Sequence, residues 1–238
     1  MKAAFGENPK MVYGASGKRP STRMATAAVL REAFYEAREY MEKRASQDAD
    51  KRPAFSLKNE ALAKVLRREL PLKMHAHRAD DILTAIRLAK EFDLRASVEH
   101  CTEGYLIADE LREAGVGIIL GPLLCDRSKP ELKRLSMKAP AILHRAGVKF
   151  ALMTDHGVIP EQYLPVEAGL CVREGLPEME ALRAITINAA EVIGLADCIG
   201  SLAPGKDADV VLFDGHPLET RTHTSLVLVG GEIVYERT

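Results

Sequence analysis

Two histidines and one aspartate stand where an α/β protein does chemistry. His75, His100 and Asp155 each fall at or just before the C-terminal end of a short apolar run that reads as a parallel β-strand. Such strand ends form the rim on which α/β barrels carry their catalytic groups. Imidazole and carboxylate are the donors that hold a catalytic zinc or similar divalent ion while leaving a position open to water, whose lowered pKa makes hydroxide available near neutral pH. Taken singly, each residue has a plainer explanation: a histidine satisfied at a strand end, or an aspartate capping the next helix. Three of them on three different strands make joint metal binding the stronger reading.

His77 follows His75 by two, so an extended chain points both rings to one face, and His77 reads either as a second ligand or as a hydrogen-bonding group for substrate. A solvent-exposed rim histidine is an equal alternative. Arg78 can neutralise an anionic substrate group, against the simpler reading of a surface arginine. Asp80, Asp81 and Glu103 read as first-turn helix acids. Cys101 reads as a small buried thiol. His156 points away from Asp155 and is left as a loop residue or a support to the site, while His144, His216 and His223 read as structural or surface groups.

The elements that must position these residues follow from the pattern. Met24 to Ala45 carries Leu30, Phe34, Ala37 and Met41 at helical spacing, with Ser21 and Thr22 as candidate caps. A second helical segment spans Leu57 to Leu70. The runs Leu72 to His77, Ala96 to Cys101, Gly117 to Pro122 and Lys149 to Asp155 then alternate with amphipathic segments, which predicts βα units and a parallel sheet. Two helical patterns, Gln162 to Glu174 and Glu178 to Ile193, precede the β-rich stretches DADVVLFD, SLVLVG and EIVYER, with Gly230 and Gly231 as a hairpin turn. A parallel α/β body over 1–196 and a small β-rich part over 197–238 are therefore expected.

Composition narrows the partners. The chain has 238 residues, 47% hydrophobic and 28% charged, with a formal net charge of -1. Nothing in that balance draws it to nucleic acid. No apolar stretch approaches the roughly 20 residues of a membrane span, and MKAAFGENPK lacks a signal-peptide core, so a cytoplasmic setting without membrane attachment is expected. Cys101, Cys125, Cys171 and Cys198 show neither zinc-knuckle nor disulfide spacing and read as free thiols.

The ordered set LKMHAHRADD, SVEHCTEG, LMTDHGVIP and IGSLAPGKDADVVLFDG resembles the metal-dependent amidohydrolase superfamily, in its imidazolonepropionase-like branch. The likeness covers nearly the whole chain, and its most specific part is the late succession from Asp155 through AITINAAEVIGL to VLVGGEIVY. It implies a portion of a (β/α)8 barrel of the TIM type, about strands four to eight, with strands of a small composite β-sandwich. It also implies a divalent metal cofactor, zinc first, with iron, manganese or nickel as alternatives. By motif, His75 resembles the fifth-strand ligand and His100 the sixth-strand histidine that binds metal or substrate. Asp155 resembles the eighth-strand aspartate that touches the metal and serves as general base. The implied reaction is hydrolysis of a C–N bond in an amide or cyclic amide of a small molecule. A ring deaminase of the same superfamily is the alternative enzyme.

One departure stands out. The family's first-strand His-x-His pair is absent upstream of His75, and four strands are legible where the barrel needs eight. MKAAFGENP then corresponds to the end of the fourth strand, where two-metal relatives carry a carboxylated lysine, and Lys2 is the matching residue. A half barrel leaves strand edges open, so self-association or a missing N-terminal barrel half is expected, with activity of this chain alone in doubt. A catalytically silent scaffold or subunit is the non-enzymatic alternative. The loop Leu123 to Lys138 is basic enough to suit an acidic substrate group, with simple solvation as the default.

Overall fold

Short apolar strands alternating with amphipathic helices are what the computed structural model shows, and it describes residues 1–238. The chain divides into two compact units, Met1–Cys101 with Ala114–Val116, and Thr102–Glu113 with Gly117–Thr238.

The first unit is built on three parallel strands, β1 (Lys2–Ala4), β2 (Leu72–Ala76) and β3 (Ala96–His100). β2 pairs with both others, in a register that sets Ala4 beside His75 and His75 beside Glu99. The opening residues are thus a strand of the parallel sheet, as the resemblance implies. Between β1 and β2 run α1 (Glu7–Gly14), α2 (Arg23–Arg44) and α3 (Leu57–Leu66), and α4 (Ala79–Glu91) joins β2 to β3. Thr22 caps α2, its hydroxyl accepting from Ala25 N–H at 3.0 Å. Helix α1 was not announced by any periodicity. Ile82, Ala85, Ile86, Leu88 and Ala89 form the buried stripe of α4, and Phe34 of α2 meets Phe92 with ring centroids 5.1 Å apart. Asp81 is a first-turn acid, as expected, but a buried one. Arg23 reaches it at 2.9 Å and ties α2 to α4.

The second unit holds α5 (Ala108–Ala114) in large part, the parallel pair β4 (Gly117–Leu120) and β5 (Ala151–Leu152), and α6 (Ala139–Arg145) between them. The run 149–155 therefore yields a shorter strand than its apolar residues suggest. α7 (Leu164–Arg173) follows. The stretch 178–193, read from sequence as one helix, is two: α8 (Glu178–Ala184) and α9 (Ile187–Ile193). Thr186 leaves helical geometry at φ -132°, ψ -99°, and its hydroxyl instead bonds back to the Leu182 carbonyl at 2.7 Å. The chain closes with an antiparallel sheet of β6 (Val210–Phe213), β7 (Thr224–Val229) and β8 (Glu232–Glu236). Gly230 and Gly231, both at positive φ, form the predicted turn. Val211, Leu212, Ile233, Val234 and Tyr235 of this sheet are exposed.

Gly121 follows β4 at φ 137°, and a Cβ there would meet the Met153 carbonyl oxygen at 2.1 Å. Gly121→Ala is expected to cost about 3 kcal/mol or more in urea unfolding. Glu167 of α7 is wholly buried, and burial pushes its carboxyl up from about 4.5 to about 7, opposed by the Leu123 and Leu124 N–H groups it accepts from. Because the folded-state value is raised, the unfolded chain loses this proton first as pH rises. Stability from this group is whole below about 4.5, falls between there and about 7, and stays low above. Glu167→Gln is expected to be the more stable protein at pH about 8, by up to about 3 kcal/mol, and to lose that advantage near pH 4.5.

Candidate metal centre

Strand alternation would not bring His75 and His100 together. In the β2–β3 register His100 stands beside Ala76, and Glu99 beside His75, so regular strands would turn the two rings to opposite faces. The backbone resolves this at the end of β3. His100 and Cys101 both adopt left-handed geometry, φ 72° and 48°, and Cys101 N–H still donates to the Ala76 carbonyl at 2.9 Å. The turn rotates the His100 ring about its N–Cα bond toward β2. Such backbone in residues other than glycine costs about 1–3 kcal/mol each and is a mark of functional sites.

Three imidazoles result, packed against one another. Ring centroids lie 4.7 Å apart for His75 and His77, 4.3 Å for His75 and His100, and 4.4 Å for His77 and His100. Exposures are 7%, 4% and 5% in chain order. One ring nitrogen from each lies within 4.8 Å of the other two. His77 is buried, so it is not the solvent-exposed rim histidine of the plainer reading, and it lies with His75 and His100, where a ligand or a substrate hydrogen-bonding group would both stand. Convergent imidazole nitrogens on buried side chains suit zinc and also fit iron, manganese or nickel, so the donor set accommodates the implied ion.

The surroundings add residues that sequence did not single out. Asn8, from the Gly6-Glu7-Asn8-Pro9 turn that opens α1, places its Nδ2 at 3.4 Å from His75 Nε2. Glu99 is buried, and its carboxylate pairs with Lys2 and, at 3.9 Å, with Lys73. Burial, with Arg95 nearby, holds the Lys73 amine below its usual value. The signal for Asn8 was the turn MKAAFGENP itself. For Glu99 it was adjacency to His100, and an acid within a strand is easily taken for a solvated one.

Lys2 lies on β1 with its amine on Glu99. Arg78 stands at the start of α4 and engages Asp80 with both arms of its guanidinium, at 2.9 and 3.0 Å, which holds the Asp80 carboxyl below the usual range. Asp155 follows β5 in the second unit, exposed and at φ 51°, its carbonyl accepting from Val158 N–H at 2.9 Å. His156 accepts from Glu161 N–H at 3.2 Å, which fixes it as a loop residue. His216 and His223 pair with Glu178 and Asp214 at 3.1 and 3.3 Å, and His144 lies 4.0 Å from Glu180. Cys101 is buried, which pushes its thiol up to about 12 and leaves it unreactive.

The amidohydrolase family model matches residues 1–235. Amidohydrolase tasK of Hapsidospora irregularis is 28% identical over 233 residues, covering 92% of this chain and 24% of its own length. An imidazolonepropionase of Geobacillus kaustophilus is 41% identical over 98 residues, covering 37% of this chain and 23% of its own length. The crystal structure of an amidohydrolase from Thermotoga maritima superposes with a TM-score of 0.95 at 46% identity, covering 99% of this chain and 62% of that one. The chain thus spans about a quarter of those two relatives and under two thirds of the crystal structure. Its parallel sheet is part of a barrel of that kind. Matched almost end to end, and with three of its seven histidines gathered at the ends of β2 and β3, the chain belongs to the amidohydrolase family and is imidazolonepropionase-like.

Proposed function

We propose that the protein is a metal-dependent hydrolase of a C–N bond in an amide or cyclic amide, and that His75, His77 and His100 hold its ion. The carrying observation is the buried triad, with its ring nitrogens within 4.8 Å of one another. When bound, a divalent ion there supplies Lewis-acid polarisation of a carbonyl and lowers the pKa of water. The residues do the rest. The β2–β3 ladder holds His100 beside Ala76, one residue on from His75, and the left-handed turn at His100 presents its ring to the pair on β2. Asn8 lies within hydrogen-bond reach of the His75 ring and supports its orientation. By its match to the family motif, Asp155 is assigned as general base, taking a proton from the attacking water and passing it to the leaving nitrogen. Contact with the metal is part of the same assignment. Lys2 is kept as a further candidate ligand through the same match, although its amine is on Glu99. Arg78 is assigned to an anionic group of the substrate, in exchange for its pairing with Asp80.

The partial barrel is assigned to 1–196 and strands of a composite sandwich to 197–238. The exposed apolar residues of β6–β8 suit cover by further strands of a longer chain or by a second copy. Four cysteines without disulfides suit the cytosol, and no helix is long and apolar enough to cross a membrane.

Elemental analysis of the purified chain tests the reading. About one zinc or similar ion per chain is expected to survive desalting, and His75→Ala, His77→Ala and His100→Ala are each expected to reduce retention at least tenfold. No metal in any preparation, or retention indifferent to all three substitutions, would contradict it. In a preparation that hydrolyses a C–N bond, Asp155→Asn is expected to lower kcat at least a hundredfold. Release of ammonia without a new carboxylate would move the assignment to a ring deaminase.

A further inference from the structure

Glu167 is a buried acid that the proposed reaction does not use. It is 0% exposed, and the other buried residues of α7 are Ala168 and Cys171. A carboxyl in such surroundings is costly unless hydrogen-bonded, and an apolar side chain of similar volume would fill the space at lower cost. Its bonds show what it holds. Oε2 accepts from the backbone N–H of Leu123 at 3.0 Å and of Leu124 at 3.4 Å, while Oε1 has no hydrogen-bond partner. Both donors belong to the segment that leaves the C-terminal end of β4. The other side of that segment is pressed on β5: Met153 N–H donates to the Leu120 carbonyl at 3.0 Å, and Gly121 lies so close that no Cβ fits beside the Met153 carbonyl. Met153 is two residues before Asp155. Cys125, at the far end of the segment, donates its thiol to the Pro122 carbonyl at 3.3 Å. Burial raises that thiol, and the charges of Asp126, Glu167 and Asp155 add to the effect.

We propose that Glu167 is a positioning residue whose carboxylate clamps residues 121–125 against the end of β5 and thereby sets the surroundings of Asp155. The clamp's catalytic meaning rests on the role given to Asp155 above. The clamp itself is measured without metal, substrate or turnover, so the two readings fail separately.

The four thiols supply the test. Cys125 is half-buried beside the clamp, Cys198 is exposed, and Cys101 and Cys171 are buried. The full-length chain and its Glu167→Ala, Glu167→Asp and Glu167→Gln variants are alkylated with iodoacetamide, and each site is followed by mass spectrometry. In Glu167→Ala the two backbone donors lose their acceptor, and Cys125 is expected to react about tenfold faster relative to Cys198, with Cys101 and Cys171 still protected. Glu167→Asp, one methylene short, is expected to fall between this and the wild type. Glu167→Gln keeps an acceptor oxygen and is expected to match the wild type. Unchanged Cys125 reactivity in both Glu167→Ala and Glu167→Asp would overturn the proposal. So would a parallel rise at Cys101 and Cys171, which marks general loosening, or failure of Gln to restore protection.

Discussion

Most of this structure's chemistry depends on one backbone feature, the left-handed turn at His100 and Cys101. Without it the period of two along β3 would send the His100 ring to the face opposite His75. With it, three imidazoles are packed where water is largely excluded. Buried polar rings are tolerated only when their nitrogens find partners, and side-by-side imidazoles in neutral form present lone pairs suited to a cation. The strain is held in place by its surroundings: the Cys101 N–H is anchored to Ala76, and its side chain is fully buried.

The second unit shows the same economy with different groups. There a buried carboxylate, a glycine without room for a methyl, and the end of a two-residue strand fix one short segment from both sides. Both devices sit at C-terminal strand ends, where βα units leave the backbone free to vary while the sheet holds the ends still. The Thermotoga maritima amidohydrolase shares the fold over 99% of this chain.

Sequence made some of this legible and hid the rest for identifiable reasons. The repeating βα pattern, the terminal hairpin with its two glycines, and the shared face of His75 and His77 follow from periodicity and turn chemistry alone. Joining His100 to that pair could not be read from spacing, because the joining element is a positive φ angle at two positions where no glycine announces it. The first strand was visible only through family resemblance, since three residues carry no period. Thr186 reads as any helical threonine, and only the structure shows its backbone leaving helical geometry between α8 and α9. Glu167 was invisible for the opposite reason: an acid in an amphipathic segment reads as a solvated one, and its burial depends on a segment more than forty residues away.

The central claim is that three imidazoles from β2 and β3 make a single ligand set within one unit of the chain. X-ray absorption at the zinc edge of the zinc-loaded protein tests it most directly, because imidazole rings scatter with a pattern that counts them. The account predicts three imidazoles around the ion, and two in the His77→Ala variant at saturating zinc. One imidazole or none in the wild type, or a count that does not change when His77 is removed, would contradict it.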